Sequence, residues 1–245
     1  VKLLKTLLIF CFWGASFQVA LAKSKVLKVG LNDAYPWSYY DVKQKKVMGA
    51  EKEIIEAAFK EVRIQVEFHV LGYARLVKEF QEKRLDFASP ITKQDGTKIK
   101  AYFTKRFVPF VDVVASFEKE NIQLTNLYKK RFIAYQNASQ YLGPKYQKAV
   151  ANSKSYTELP GRENQILMLK LGRVDYIVGE QNILHGLAKK LFPKRKLYTN
   201  LIIKDWKIGP ASLDKNLQEK FNQGLKKLLA KDGVQKILKR YKIIR

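Results

Sequence analysis

One pattern of alternation occurs twice along this chain, and it restricts the fold more than any other feature. From Val26, "VLKVGL" reads as a strand and "EKEIIEAAFKEV" as a helix burying Ile54, Ile55, Ala58, Phe59 and Val62 at helical spacing. "IQVEFHV" is a strand with alternating faces, "YARLVKEFQEK" a helix and "LDFAS" a short strand. The second series runs "RFIAYQ" strand, "SQYLGPKYQKAV" helix broken at Gly143-Pro144, "SYTEL" strand, "RENQILMLKLG" helix and "VDYIVG" strand. Each series is βαβαβ, which requires a mainly parallel sheet covered by helices. The expected fold is therefore α/β, with two lobes of similar size.

"RFVPFVDVVAS" and "RKLYTNLIIK" are extended stretches flanking the second series and read as paired crossings between the lobes. The closing helices, "DKNLQEKFNQGLKKLLAKDG" and "VQKILKRYKII", return to the first lobe, with Leu217, Phe221, Leu225 and Leu228 as core.

Residues 1–22 read as a secretory signal cleaved near Ala22. Lys2 and Lys5 precede an apolar run from Leu7 to Trp13, and Ala20-Leu21-Ala22 closes it. The one cysteine, Cys11, lies inside that segment, so disulfides and thiol chemistry are excluded from the exported chain. A net charge of +25 raises nucleic acid as a partner. However, the lysines are scattered, no arginine-rich block or reading motif accompanies them, and export removes the target. The charge reads as a solvated basic surface.

Signals for catalysis are sparse. His69 sits in a strand pattern and His185 in a helix, without HExxH or paired spacing, so no metal and no cofactor are expected. Glu51, Glu53 and Glu56 read as solvated charge along a helix. No nucleophile elbow, phosphate loop or dinucleotide turn occurs.

Recognition chemistry remains. "NDAYPWSYYD" (32–41) follows the first strand, and ligands in parallel α/β sheets sit at strand carboxyl ends. Tyr35 and Trp37 read as an aromatic wall, and Tyr40 as a staple against the neighbouring helix. In "YQNASQ", Ser139 reads as an N-cap at a helix start whose free amides attract anionic or carbonyl oxygens.

These stretches make the chain resemble the bacterial extracellular solute-binding proteins of family 3, the periplasmic components of polar amino-acid ABC transporters. "LKVGLNDAYPWSYYD", "VMGAEKEIIEAAFKEV", "GRVDYIVGEQNI" and "LQEKFNQGLKKLLAKDGVQKILKRY" carry the resemblance in order and spacing across nearly the whole exported chain. It implies the type II periplasmic binding fold, with 23–112 and 203–245 as one lobe and 113–202 as the other. It also implies a monomer that closes on a small polar ligand, an amino acid or amine-like molecule, and delivers it to an inner-membrane ABC permease.

By position, Asn32, Tyr35 and Trp37 would line the first-lobe side, with hydroxyls from Ser89 and Thr92. Tyr135, Asn137, Ala138, Ser139 and Gln140 correspond to the second-lobe ligand loop. Glu180 falls where relatives carry an acid for the ligand's amino group. Where amino-acid binders show Thr-x-x-Arg, this chain has Thr92-Lys93-Gln94-Asp95. A guanidinium forks onto a carboxylate, and Asp95 would repel one. Lys93 or Lys98 turning inward, or Arg75 reaching across, would be the substitutes, but none of them has the family spacing. Two other readings follow from the same scaffold. One is a periplasmic enzyme similar to cyclohexadienyl dehydratases, with Glu180 moving the proton; the other is a ligand-sensing adaptor for a membrane receptor.

Overall fold

The structure is a computed structural model and describes residues 26–92 and 100–244. The expected export segment and the Lys93, Asp95 and Lys98 positions lie outside the described residues.

The chain begins with β1 (Leu27–Asn32), a small hairpin of β2 (Tyr39–Asp41) and β3 (Lys46–Met48), and α1 (Ala50–Lys60). β4 (Val66–Leu71), α2 (Tyr73–Gln81) and β5 (Phe87–Ser89) complete the first series, and β6 (Tyr102–Phe103) leads to β7 (Val108–Ser116). A 3-10 turn (Leu124–Leu127) precedes the second series. That series comprises β8 (Arg131–Ala134), α3 (Ala138–Tyr141), α4 (Pro144–Ala151), β9 (Ser155–Glu158), α5 (Arg162–Lys170) and β10 (Tyr176–Glu180). The chain continues through α6 (Gln181–Leu191), β11 (Tyr198–Ile208), β12 (Ala211–Ser212), α7 (Lys215–Ala230) and α8 (Gly233–Arg240).

Two five-stranded sheets result, ordered β4-β1-β5-β12-β6 and β11-β7-β10-β8-β9. In each, the three strands of the repeated series pair in parallel, as the alternation requires. The remaining strands are antiparallel, because they belong to the segments by which the chain leaves and re-enters each half. The two extended stretches pair with each other over Val108–Ser116 and Tyr198–Ile208, with irregularities between Thr199 and Leu201 and between Ile202 and Lys204.

α7 and α8 return to the first sheet's side, where α7 packs on α1. Phe59, Phe87 and Phe221 meet there at ring separations of 4.9–5.2 Å. Each buried aromatic of this kind contributes roughly 1.5–3 kcal/mol. The two helices come so close that a Cβ on Gly224 would collide with the Ala58 carbonyl oxygen. One apolar cluster continues from Val29, Ile54 and Phe221 to Val113, Ile177 and Ile183, joining both halves at the crossing strands. Among the described residues, no helix is long and apolar enough to cross a membrane.

Candidate functional site

The loop after β1 is shaped by its own backbone. Ala34 N–H donates to Ser38 O at 2.7 Å, Trp37 N–H to Ala34 O at 2.7 Å, and the Ser38 hydroxyl to Asn32 O at 2.6 Å. The loop carbonyls then cap α1: Pro36 O accepts from Ala50 N–H and Trp37 O from Glu51 N–H. This close approach needs Gly49, at φ 128°, since a Cβ there would strike the Trp37 carbonyl.

Capping brings the aromatic loop over the cavity and buries Glu51, which is 2% exposed. The expectation of a solvated acid at Glu51 is corrected, because the loop covers the helix start. Burial pushes the Glu51 carboxyl up to about 7, against the donating Ser89 hydroxyl. Glu53 instead meets Arg240 and Tyr241, and Glu56 pairs with Lys52. Tyr40 is 54% exposed on the β2–β3 hairpin, so it staples no helix: its side chain points away from the core.

A cavity of about 1110 Å³ lies between the two halves. Asn32, Tyr35, Trp37, Thr92 and Tyr135, all expected at the cleft, are on its wall. The other expected residues are placed elsewhere. Ser89 is fully buried and spends its hydroxyl on Glu51. Ala138 is buried in the second half's core and Gln140 is exposed.

Asn137 is the residue before α3, in the left-handed region at φ 64°, and Ser139 is not the cap. Glu158, at the end of β9, reaches both backbone N–H groups: Oε1 accepts from Ser139 at 2.9 Å and Oε2 from Asn137. An internal carboxylate thus fills the anion position expected for a ligand. Burial alone would raise the Glu158 carboxyl, but the Ser139 amide, the Tyr156 hydroxyl and the Asn137 amide together hold it below the usual range.

Glu180 is 1% exposed and caps α6. Its Oε2 accepts from Ile183 N–H at 2.9 Å and from Trp37 Nε1 at 3.0 Å, and its Oε1 accepts from Asn182 Nδ2 at 2.9 Å. The Trp37 bond ties the first-half loop to the second half. Burial raises the Glu180 carboxyl despite these donors.

Opposite Glu180 in the β10–β7 register stands Asp112, which is fully buried. Trp206 Nε1 donates to its Oδ2 at 3.0 Å. Burial pushes Asp112 up to about 7, while Trp206, Tyr135 and Arg162 pull it down and Glu180 adds to the rise.

The second-half wall comes from Tyr135, Gln136, Tyr141 and the turn around Pro160–Asn164. Sequence reasoning passed over Arg162, the first residue of α5. Its guanidinium lies 4.8 Å from the Tyr135 ring centroid, and its Nη1 is shielded from solvent without a hydrogen-bond partner. Burial lowers it to about 10, so it keeps its charge at neutral pH. The only prior signal was the Pro160-Gly161 break just before it. Among the described residues, no group of His, Cys, Asp and Glu could hold a metal.

The bacterial extracellular solute-binding proteins, family 3, match the chain over residues 27–243. The probable amino-acid-binding protein YxeM of Bacillus subtilis (strain 168) is 26% identical over 222 residues, covering 87% of this chain and 82% of that protein. The arginine-binding periplasmic protein of Mannheimia haemolytica is 26% identical over 246 residues, covering 96% of each. Among solved structures, a histidine kinase sensor domain with similarity to periplasmic binding proteins superposes with a TM-score of 0.77 at 16% identity, over 89% of this chain and 96% of that one. AbpA from Streptococcus pneumoniae, bound to L-arginine, gives a TM-score of 0.73 at 22% identity, over 88% and 93%. These likenesses show the fold.

Proposed function

Because the chain belongs to the bacterial extracellular solute-binding proteins of family 3, we propose that it captures an amino acid or amine-like molecule between two lobes and delivers it to an inner-membrane ABC permease. The observation that carries this reading is the cavity of about 1110 Å³ walled by both sheets' loops. Its size is just above the roughly 300–1,000 Å³ that small-molecule sites occupy, which leaves room for closure around a small ligand. The relatives, a probable amino-acid-binding protein and an arginine-binding protein, support an amino-acid ligand.

In this reading 23–112 with 203–245 form one lobe and 113–202 the other, and the paired strands β7 and β11 act as the hinge. Closure is selected by whatever the ligand contacts on both walls at once. The protein works in the periplasm as a monomer after removal of 1–22, and it binds rather than transforms its ligand.

The test is calorimetry on protein unfolded in guanidinium, dialysed free of ligand and refolded. It is titrated with the proteinogenic amino acids, small amines, short peptides and sugars. Saturable heat with an amino acid or amine is expected. Binding confined to sugars or peptides would overturn the ligand class, and conversion of a prephenate-like acid by the pure protein would replace binding by catalysis.

A further inference from the structure

Among the described residues, five buried side-chain polar atoms lack a hydrogen-bond partner, and three of them belong to one group beside the cavity. They are Arg162 Nη1, the Tyr135 hydroxyl and Asp112 Oδ1; the last two stand close enough to act on each other without a hydrogen bond of good geometry, so the atom left with no partner group is Arg162 Nη1. Tyr135 and Arg162 are on the cavity wall, and Asp112 lies behind them, where its carboxylate interacts with both. Buried polar atoms are almost always paired, so a guanidinium nitrogen left without a partner on the cavity wall marks a place that another molecule completes.

We propose that Arg162 is the anchor for a carboxylate group of the ligand, with the Tyr135 ring as its platform and Asp112 as a positioning residue. The inference rests on the ligand-capture role of the same cleft and adds the group that recognises the ligand's acid end. Stacking on Tyr135 occupies one face of the guanidinium and leaves the donors in its plane, where a carboxylate accepts two parallel bonds.

The other cations on the wall are differently disposed. Arg75 pairs with Glu79 and Lys190 with Glu163, both with exposed side chains, and Lys43 is exposed in the β2–β3 turn. A charge in water is screened, whereas Arg162 is half-buried with its Nη1 shielded and is screened less. The anion is a monoanion: one guanidinium faces it, and Asp112 and Glu180 stand close enough to Arg162 to interact with it. A phosphate dianion would meet those two acids with a single compensating cation.

The competing account makes Arg162 only a counter-ion for Asp112 and Glu180. Two measurements on the full exported chain separate them. The first is calorimetry of L-arginine against agmatine, which lacks the carboxylate, on wild type, Arg162→Gln and Arg162→Lys. Wild type should favour L-arginine by about tenfold or more, the worth of a charge-assisted bond pair, and Arg162→Gln should bring the ratio close to one. Arg162→Lys keeps the charge without the fork and should fall between; it carries the comparison if the Gln variant does not fold. An unchanged ratio in a folded variant overturns the proposal.

The second is a titration of wild type with sodium acetate, following the Arg162 Nε–H resonance assigned by its loss in Arg162→Lys. A saturable shift with acetate and none with chloride at equal ionic strength is expected, and no shift overturns the proposal. A larger shift with inorganic phosphate overturns the assignment to carboxylate. If neither L-arginine nor agmatine binds but acetate shifts the resonance, the amino-acid reading fails and the anchor stands. If L-arginine binds with a ratio that ignores Arg162, the anchor fails alone.

Discussion

Glu51 provides a direct test of how the loop after β1 builds the cleft. Its side chain is 2% exposed, it accepts from the Ser89 hydroxyl, and burial lifts its carboxyl from an ordinary 4.5 to about 7. A carboxyl raised by folding holds its proton more tightly folded than unfolded. Stability is therefore greatest below the ordinary value and is lost as pH rises toward about 7. At 1.36 kcal/mol per unit, the loss is about 3 kcal/mol by pH 8. Glu51→Gln removes the titration while keeping an acceptor for Ser89. The quantity to measure is the urea-unfolding free energy of wild type minus that of Glu51→Gln, followed by tryptophan fluorescence at about pH 5 and pH 8. Burial and Ser89 account for the whole Glu51 shift, with no neighbouring charge in it, so the double difference isolates this residue. It should fall by about 2.5 kcal/mol between the two pH values, since part of the loss is already present at pH 5. A change below about 1 kcal/mol would refute the claim that the loop encloses Glu51.

Glu158→Ala would strip the partner from the Asn137 and Ser139 amides and cost about 1–2 kcal/mol after allowing for solvent around this part-exposed acid, measured by urea unfolding at pH 7. Because its carboxyl is held low, that contribution should vanish as pH falls through the carboxylate range, the reverse of Glu51. Trp37→Phe keeps the ring but removes the indole donor to Glu180, and should lower unfolding free energy by about 1–2 kcal/mol, increasingly so as pH rises. Gly224→Ala would force the Ala58 carbonyl and α1 away from α7, costing about 1–3 kcal/mol in thermal melts.

The repeated series was legible because helix and strand periods are local: Ile54, Ile55, Ala58 and Phe59 lie inside at the spacing that predicted them, and so do Leu217, Phe221, Leu225 and Leu228. The strands β2, β3, β6 and β12 are two or three residues long and carry too few positions to show a period. At the cleft, Tyr35 and Trp37 could be read because a strand end and an aromatic–proline loop coincide in sequence. Glu51 and Arg162 could not. Each is a charged residue in the first turn of a helix, and such positions are ordinarily solvated. Their burial is decided by elements distant in sequence, the 36–38 loop for Glu51 and the Tyr135 ring for Arg162. Glu158 escaped for the same reason: a hydroxyl at 139 suggested a cap, but β9 delivers a carboxylate that satisfies both amides.

Glu180 and Asp112 sit directly opposite on antiparallel strands, an arrangement that like charges disfavour. Each is held by an indole from another element, Trp37 from the first-half loop and Trp206 from β11, and Arg162 supplies the nearby positive charge. Burial pushes Asp112 up, Trp206, Tyr135 and Arg162 pull it down and Glu180 adds to the rise, so that it balances at about 7. A ligand carboxylate on Arg162 would compete for that positive charge, leaving Asp112 to hold its proton more firmly. Binding near neutral pH should then draw a fraction of a proton from the buffer, so the calorimetric enthalpy should differ between phosphate and Tris in proportion to their ionisation heats. Asp112→Asn should abolish the difference. Equal enthalpies in both buffers for wild type would show that the ligand's charge never reaches the cluster. An uptake would mean that occupancy of the cavity is felt at β7 and β11, the paired strands that cross between the two halves.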